Sequence, residues 1–304
     1  MGKKLVCSSK KYDYAQMMRD FEQLSCRYPI EKQIIGYSAE GREIPAFCVG
    51  TGERRALLVG AHHAREYIAS AYLMRVLEDL CEQKRQCVQG TEVETQLKRC
   101  KLFFVPMLNP DGVEISIHGA RAAKNPGRVR RMKRVFPAYC AWKANANGVD
   151  LNRHYPCLWQ EKHSAICAPA SEGFKGSAPA QESEVRALMK LCQKEDFLLA
   201  ATFHAKGEEI YWADRNSEKL VPQARRIAQR LHEVTGYTLM PVSADPGQYA
   251  AGFENWFRQE FRRPALLFEL APFTGGVIPH DMQEFDRLVW EKMSLFVYEF
   301  MKFI

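Results

Sequence analysis

Ligand-type side chains stand at the carboxyl ends of three apolar segments in this sequence. They are His63 and Glu66 after the first segment, His204 after the second, and Glu269 at the end of the third. A catalytic zinc ion takes three protein ligands, often His and Glu, and keeps one position open for water. The alternative is a helix-start salt bridge at His63 together with a hydrogen-bonded core histidine at position 204. Spacing alone does not decide between the two interpretations.

Hydrophobic periodicity predicts strands that alternate with helices. The predicted strands are 32–37, 43–49, 55–60, 101–107, 197–203, 209–213 and 264–270, and the predicted helices are 14–27, 66–82, 179–194, 217–234, 250–260 and 281–302. Apolar strands between helices indicate an α/β fold in a single domain, residues 1–304, whose mixed and mostly parallel central sheet has helices on both faces. The carboxyl ends of parallel strands meet at one sheet edge, so the ligand-type side chains are expected to lie together.

Residues 113–176 have little periodicity and many polar and turn residues. A loop this long inside a compact domain usually serves function, so we expect it to form one wall of the site. It includes a basic run, residues 121–134, with seven Lys or Arg and no acid. No interleaved aromatic residue or nucleic-acid motif accompanies the run, which therefore predicts a solvated loop rather than a nucleic-acid contact.

Composition favours a globular enzyme. The 304 residues are 46% hydrophobic and carry a net charge of +7, which would attract anionic partners weakly. No apolar run reaches the ~18 residues of a membrane span, and no apolar run of ~7–15 residues follows Lys3 and Lys4. We therefore expect no signal peptide and a cytoplasmic location. None of the ten cysteines forms a CxxC pair, and free thiols are expected, although Cys140 and Cys157 bracket one loop.

Five short motifs lie between residues 60 and 270. They are His63-Ala64-Arg65-Glu66, Asn109-Pro110-Asp111-Gly112, Gly148-Val149-Asp150-Leu151-Asn152-Arg153, Phe203-His204 and Phe268-Glu269-Leu270. In this order and at these separations the motifs resemble the zinc carboxypeptidase (carboxypeptidase A-like) metallopeptidase family. The resemblance implies the fold of that family, peptidase activity, and one Zn²⁺ ion held by His63, Glu66 and His204. It leaves the adjacent His62 outside the ligand set.

The same resemblance implies a catalytic role for each matching position. Glu269 would be the general base that takes a proton from a zinc-activated water. Asp150 would hold a ligand histidine, His63, through its outer ring nitrogen. Lys143 best matches the cation that stabilises negative charge on the scissile carbonyl oxygen, although the family usually has an arginine there. An arginine within residues 128–131 is the alternative source of that charge.

Further positions are implied in substrate binding. Asn152 and Arg153 match a clamp in which the guanidinium binds a terminal carboxylate through two hydrogen bonds. Glu254 matches a position that lines the pocket for the leaving side chain, where an acid accompanies a basic substrate; a solvated helix carboxylate is the alternative. Tyr249 lies two residues from Gly247, which occupies the place of the family's substrate-covering tyrosine, and would substitute for it.

Residues 203–212 and 142–145 resemble a bacterial branch of the family that cuts between γ-D-glutamate and a diamino acid. We therefore predict a zinc peptidase acting on cell-wall-derived peptides, with a peptide or muropeptide as partner and neither nucleic acid nor membrane. An ordinary carboxypeptidase releasing C-terminal basic residues is the first alternative, because some members of that branch carry an acid where this chain keeps Arg153. A catalytically silent peptide-binding protein is the second, although the ligands and Glu269 are all present.

Overall fold

The strands of the computed structural model form one large sheet and one small hairpin. The structure describes residues 4–6, 8, 10–132, 138–273, 275 and 279–304. Its strands are β1 (Glu31–Tyr37), β2 (Glu43–Val49), β3 (Arg54–Gly60), β4 (Cys87–Val88), β5 (Thr91–Glu92), β6 (Cys100–Val105), β7 (Leu199–His204), β8 (Glu209–Tyr211), β9 (Thr238–Leu239) and β10 (Ala265–Glu269). Within these described residues, strands β4 and β5 pair only with each other, and the large sheet has the order β1-β2-β6-β3-β7-β10-β8-β9.

The helices lie between these strands and after the last one. They are α1 (Tyr14–Ser25), α2 (Ile68–Glu82), α3 (Val93–Arg99), α4 (Pro110–His118), α5 (Pro126–Arg131), α6 (Ser183–Glu195), α7 (Gln223–Thr235), α8 (Pro246–Tyr249), α9 (Phe253–Phe261), α10 (Glu291–Met293) and α11 (Phe296–Met301). Single helical turns occur at Ala64–Glu66, Ala120–Ala122, Tyr139–Ala141, Leu151–Arg153, Trp159–Glu161 and Met282–Glu284, and a π-helical turn at Asp286–Trp290.

The centre of the sheet is parallel and its flanks are mixed. Strands β6, β3, β7 and β10 run parallel to one another. On one side β2 and β1 are antiparallel, and on the other β8 is antiparallel to β10 while β9 is parallel to β8. The predicted fold class, a mixed and mostly parallel α/β sheet, is confirmed.

Alternate side chains of the central strands enter two separate cores. In β3, Ala56 and Leu58 pack with helices α1, α2, α7 and α11, whereas Leu57 and Val59 pack with α6 and α9 on the opposite face. All four side chains are fully buried, and burial of a leucine contributes about 1.5–3 kcal/mol. Helices therefore cover both faces, and the edge where the parallel strands end stays free for a site.

The Asn109-Pro110 motif starts a helix rather than continuing a loop. The Asn109 side chain accepts a hydrogen bond from the Gly112 N–H at 3.0 Å, and Pro110 occupies the first turn, where its missing N–H has no cost. The Asn109 amide also donates to the carbonyl oxygens of His62 and Ala144. The first part of the predicted irregular stretch, 113–118, is therefore helical, and that prediction was wrong there.

Several predicted boundaries also differ from the structure. Helix α6 begins at Ser183 instead of 179. Helix α7 begins at Gln223 instead of 217, because the Asp214 side chain accepts hydrogen bonds from the N–H groups of residues 216 and 217 and forms a turn there. Strand β8 is shorter than predicted. The predicted last helix, 281–302, is divided into several pieces, and the hairpin and helix within 87–99 were not predicted.

The cysteines in the described residues are unpaired. Nine of them are free thiols, including Cys140 and Cys157, which confirms the predicted absence of disulfides in this part of the chain. Within the same residues, no helix combines the length and the apolar character that crossing a membrane requires.

Candidate active site

Neighbouring strands of the sheet deliver three side chains to one point. His63 and Glu66 belong to the turn that follows β3, and His204 is the last residue of β7, the parallel neighbour of β3. These three residues are called the metal group below. Glu269 ends β10, the next strand, and pairs in register with His204, so both side chains emerge on the same face.

The metal group is compact and buried. The Nδ1 atom of His63 lies 3.0 Å from both carboxylate oxygens of Glu66. The Nδ1 atom of His204 lies 3.0 Å from the Nδ1 atom of His63 and 3.0 Å from Oε2 of Glu66. The three side chains, predicted as metal ligands, are brought together into a group that could hold a metal ion.

The donor atoms suit zinc in kind and in spacing. Ligand atoms at about 2.0–2.1 Å from a tetrahedral zinc ion lie about 3.4 Å from one another. The ring nitrogens of His63 and His204 and the carboxylate of Glu66 face one another at 3.0 Å. A single zinc ion therefore fits this set through the Nδ1 atom of each histidine.

Polar side chains occupy the outer nitrogens of both histidines. The Nε2 atom of His63 lies 3.1 Å from the fully buried carboxylate of Asp150. A proton on that nitrogen leaves Nδ1 as the lone-pair donor. The amide nitrogen of Asn152 lies 3.3 Å from Nε2 of His204, while its oxygen accepts from the Phe253 N–H. Asp150 lies where the sequence predicted, whereas the contact of Asn152 with a histidine was not foreseen.

Charge within the metal group shifts its protonation. Burial disfavours protonated His204, but the hydrogen bond and negative charge of Glu66 outweigh burial and raise the pKa of His204 to about 9. Burial would likewise raise the pKa of Glu66, yet His63 and His204 hold that pKa well below its usual value. The group therefore retains a proton on His204 near neutral pH, and a metal ion must displace it.

Asp150 is ionised in spite of complete burial. Burial works against its charge, but the positive charges of Lys143 and Arg153 and the contact with His63 keep the pKa of Asp150 well below its usual range. The Nε atom of Arg153 donates to Asp150 at 2.8 Å, and Nζ of Lys143 lies 3.6 Å away. One carboxylate thus fixes a histidine of the metal group and two cations of the site.

Glu269 faces the same cavity as the metal group. Removal from water and the negative charge of Glu66 raise the pKa of Glu269 to about 8, with His204 and Lys143 opposing the shift. A carboxyl group poised near neutral pH can both accept and donate a proton. The position and the pKa suit the predicted general base.

The cavity holds about 350 Å³ and is lined by the predicted substrate-binding residues Asn152, Arg153, Glu254 and Tyr249. The Nη nitrogens of Arg153 have no hydrogen-bond partner among the described residues. Glu254 is buried and accepts a hydrogen bond from the Thr202 hydroxyl. The solvated-carboxylate alternative for Glu254 is therefore wrong.

Tyr249 lines the cavity, but its hydroxyl group does not reach a polar partner. The hydroxyl is buried and has no hydrogen bond within the part of the chain that the structure describes. At Gly247, two residues earlier, a Cβ atom would lie 2.3 Å from Nδ1 of His163. The His163 imidazole therefore fills the space beside the residue that stands in place of the family's tyrosine, and a larger side chain at 247 would have to displace it.

Residues 143–176, called the loop wall below, form one side of the cavity. The wall carries Lys143, Asn152 and Arg153, as predicted, and also Lys162. Its start is fixed by a hydrogen bond from the Ala64 N–H to the Lys143 carbonyl at 3.0 Å, beside the metal group. Further along, side chains bind the wall's own backbone, so its shape depends on contacts between loop segments.

The alternative cation within residues 128–131 is not found at the site. Arg128, Arg130 and Arg131 are exposed on α5, and none of them lines the cavity. The last residues of the basic run, 133–134, lie outside the described residues. Lys143 therefore remains the candidate for stabilising the carbonyl oxygen.

Two other features of the cavity were not predicted from the sequence. Lys162 is buried in its wall, and a pair formed by Asp214 and Arg258, with 2.9 Å between Oδ2 and Nη2, lines the far side. Asn255 also donates to Asp214 at 2.7 Å. No short motif marks these residues, because they come from separate segments that meet only in the folded chain.

Fold and site together define a metal-dependent hydrolase. A family model described as zinc carboxypeptidase matches residues 16–271, and the chain belongs to this family of zinc peptidases. The chain is 31% identical over 301 residues to gamma-D-glutamyl-L-diamino acid endopeptidase 1 of Lysinibacillus sphaericus, which covers 97% of this chain and 73% of that protein.

Solved structures of similar shape support the fold. Carboxypeptidase A from Helicoverpa armigera superposes with a TM-score of 0.67 at 17% identity, covering 97% of this chain and 75% of the other. The murein-tripeptide amidase MpaA from Escherichia coli O157 superposes with a TM-score of 0.56 at 19% identity, covering 88% and 92% of the two chains. Both are similar in the arrangement of the sheet and its helices.

Proposed function

We propose that this zinc peptidase hydrolyses the bond between γ-D-glutamate and a diamino acid in cell-wall-derived peptides, with a peptide or muropeptide as its partner. One observation carries the proposal. The metal group and Glu269 open into the same cavity as a guanidinium group with free donors, Arg153, and a buried carboxylate, Glu254. A diamino acid offers a carboxylate for the first and an ammonium group for the second. The activity named for the L. sphaericus relative agrees with this pairing.

We assign the proton steps to Glu269. Zinc, when bound to His63, Glu66 and His204, supplies a Lewis acid that polarises the scissile carbonyl and acidifies a water. Glu269 accepts the proton of the attacking water and then donates it to the leaving amine, a sequence that its pKa of about 8 favours. Lys143, which lines the same cavity, offsets the negative charge that develops on the carbonyl oxygen.

Asp150 and Asn152 act as positioning residues in this proposal. Asp150 fixes the His63 ring from its outer nitrogen and holds the Nε atom of Arg153. Asn152 places its amide nitrogen beside the outer nitrogen of His204 and restrains that ring by contact, because an amide nitrogen cannot accept its N–H. An acceptor such as Asp150 on the outer nitrogen orients a metal ligand, and losing one typically lowers metal affinity or activity about 10–100-fold.

Glu254 provides the basis for selecting a leaving residue with a second amino group. Its carboxylate has the Thr202 hydroxyl as a neutral partner and no lysine or arginine within ion-pair distance among the described residues. A substrate ammonium group would therefore be the first cation to form an ion pair with the Glu254 carboxylate. The alternative substrate, a peptide ending in Lys or Arg, would use the same two residues, which is why the choice between them needs a direct test.

Mass-spectrometric product analysis of zinc-loaded protein provides that test. The substrates are a γ-D-glutamyl-meso-diaminopimelate muropeptide and peptides that end in Lys or in Phe, with Glu269→Gln as the control for contaminating peptidases. Cleavage of the muropeptide alone, lost in the control, supports the proposal. Release of C-terminal Lys in its place supports the ordinary carboxypeptidase. Zinc binding without cleavage of any substrate supports the catalytically silent binding protein.

Two variants of helix α9 test the role of Glu254. Glu254→Gln keeps the shape but removes the charge, and we expect a loss of at least about tenfold in kcat/KM for leaving residues with a second amino group, since a hydrogen-bonded charge contributes about 1.5–3 kcal/mol. Glu260→Gln, an exposed change on the same helix, is the matched control and should leave kcat/KM unchanged. Equal effects of both changes would show that Glu254 does not bind the leaving residue.

We also infer that the chain acts as one catalytic domain, 1–304, in the cytoplasm. The nine unpaired cysteines of the described residues support that location, because disulfides are rare where thiols are kept reduced. Fluorescence microscopy of the tagged protein in its native cell, beside a cytoplasmic and an exported marker, tests it.

A further inference from the structure

The catalytic cavity contains a buried lysine without an acidic partner. Lys162 is only 6% exposed and lines the cavity. Its ammonium group donates to one acceptor, the backbone carbonyl of Gln248, and forms no ion pair in the described part of the chain. An ammonium group shielded from water is unfavourable unless a negative charge accompanies it. The protein therefore maintains an unsatisfied positive charge at the place where substrate binds.

The loop wall holds Lys162 in this position. The Nζ atom of Lys175 donates to the carbonyl oxygens of Trp159 and Lys162, at 2.9 Å in both cases, and lies 4.2 Å from the centre of the Trp159 ring. These contacts close the turn from which the Lys162 side chain projects. The lysine is thus fixed by backbone contacts and is not a mobile surface side chain.

The surroundings of Lys162 are positive. Burial and the neighbouring charge of Arg153 lower the pKa of Lys162 to about 8, with a smaller contribution from Lys143, while Asp150 and Asp245 oppose the shift. Asp150 already contacts Arg153 and His63, and Asp245 caps the start of α8. Neither acid neutralises Lys162 at short range, so two cations face a shared space that an anion would stabilise.

We propose that Lys162 binds a carboxylate of the leaving residue together with Arg153. This inference rests on the proposed function for the identity of the ligand as a diamino acid. Arg153 offers its free Nη donors, and Lys162 offers donors beyond the one directed at Gln248. A carboxylate between them relieves the repulsion of the two cations and gains charge-assisted hydrogen bonds from both.

The competing interpretation is that Lys162 only braces the loop wall against α8. It contacts the Gln248 carbonyl, and the next residue, His163, packs against Gly247. A brace would influence every ligand of the cavity equally. A carboxylate-binding residue would instead influence only ligands that carry the carboxylate, and this difference makes the two roles separable.

The test measures binding of leaving residues, independently of which bond the enzyme cuts. The ligands are meso-diaminopimelate, L-lysine and L-lysinamide, titrated calorimetrically into zinc-loaded protein carrying Lys162→Gln, Lys162→Arg or no change at 162. We expect Lys162→Gln to weaken binding of L-lysine or meso-diaminopimelate about tenfold while L-lysinamide is unaffected, and Lys162→Arg to restore most of the loss. Weaker binding of diaminopimelate alone assigns the contact to its second carboxylate.

Lys219→Gln is the matched control, because it removes an exposed lysine that does not line the cavity. If Lys219→Gln reproduces the selective loss, or if Lys162→Gln weakens acid and amide alike, the carboxylate contact of Lys162 is refuted and the proposal is overturned. Absence of acid binding to the unchanged protein overturns it as well. Failure of the proposed function has a different signature: the muropeptide stays uncut while the effect of Lys162→Gln on acid binding persists.

Discussion

The metal group and the loop wall meet in one cavity, but different interactions hold them. The metal group lies at the ends of β3 and β7, whose backbones pair in parallel between two apolar cores. The loop wall lies outside the strands of both sheets and is held by side chains such as Lys175, His154 and Asn145 that bind backbone atoms of neighbouring turns. The sheet thus fixes the reacting groups, and the wall fixes the groups that read the substrate. Substitutions in the first region should remove chemistry, and substitutions in the second should alter geometry and selectivity.

The largest expected effect distinguishes a strand-end residue from a residue at the other side of the cavity. Glu269→Gln should lower kcat about 10²–10⁴-fold, because the general base is lost while the fold is kept. Tyr249→Phe should change kcat less than about twofold, because the hydroxyl has no hydrogen-bond partner among the described residues. Steady-state kinetics on the substrate identified by product analysis measures both, with zinc content as the control. A Tyr249→Phe variant as slow as Glu269→Gln would contradict the view that residues at the strand ends carry the chemistry.

A second effect concerns the pH dependence of metal binding. With a pKa of about 9 for His204, zinc must displace one proton below that pH, whereas Glu66 stays ionised. The apparent affinity should therefore fall about tenfold per pH unit as the pH decreases below 9, or about 100-fold from pH 8 to pH 6. Competition against a chelator at pH 6, 7 and 8 measures this, and calorimetry in two buffers counts the proton. A zinc affinity that does not change with pH would mean that His204 carries no proton before zinc binds.

The smallest effect tests how the loop wall is held. At Gly176, with φ of +88°, a Cβ atom would lie 2.5 Å from Cε1 of His154, a buried ring fixed by the Lys175 carbonyl and the Gln181 N–H. Gly176→Ala should destabilise the protein by about 3 kcal/mol through positive φ and overpacking, whereas Gly236→Ala, with φ of +71° and open space around it, should lose only about 1 kcal/mol. Urea unfolding compares them. Equal losses would mean that the His154 contact does not restrain the wall.

The same division explains what could be predicted from the sequence. His63, Glu66, His204 and Glu269 follow apolar strands, and parallel pairing alone brings such strand ends to one edge. Lys162 and Asn152 acquire their contacts from segments far apart in sequence, Gln248 for the first and His204 for the second. No local pattern encodes these meetings. The late start of α7 has a local cause, the turn at Asp214, that periodicity does not register.

The two histidines of the metal group are separated by 141 positions along the chain. Their meeting requires β3 and β7 to have paired, so the ion cannot be chelated by a chain that is still being synthesised before residue 204. Contacts between such distant positions form slowly, because a long loop must close first. During refolding, uptake of zinc from a fluorescent indicator should therefore lag behind the first appearance of secondary structure. The time of zinc uptake would then report when β3 and β7 have paired in the central sheet.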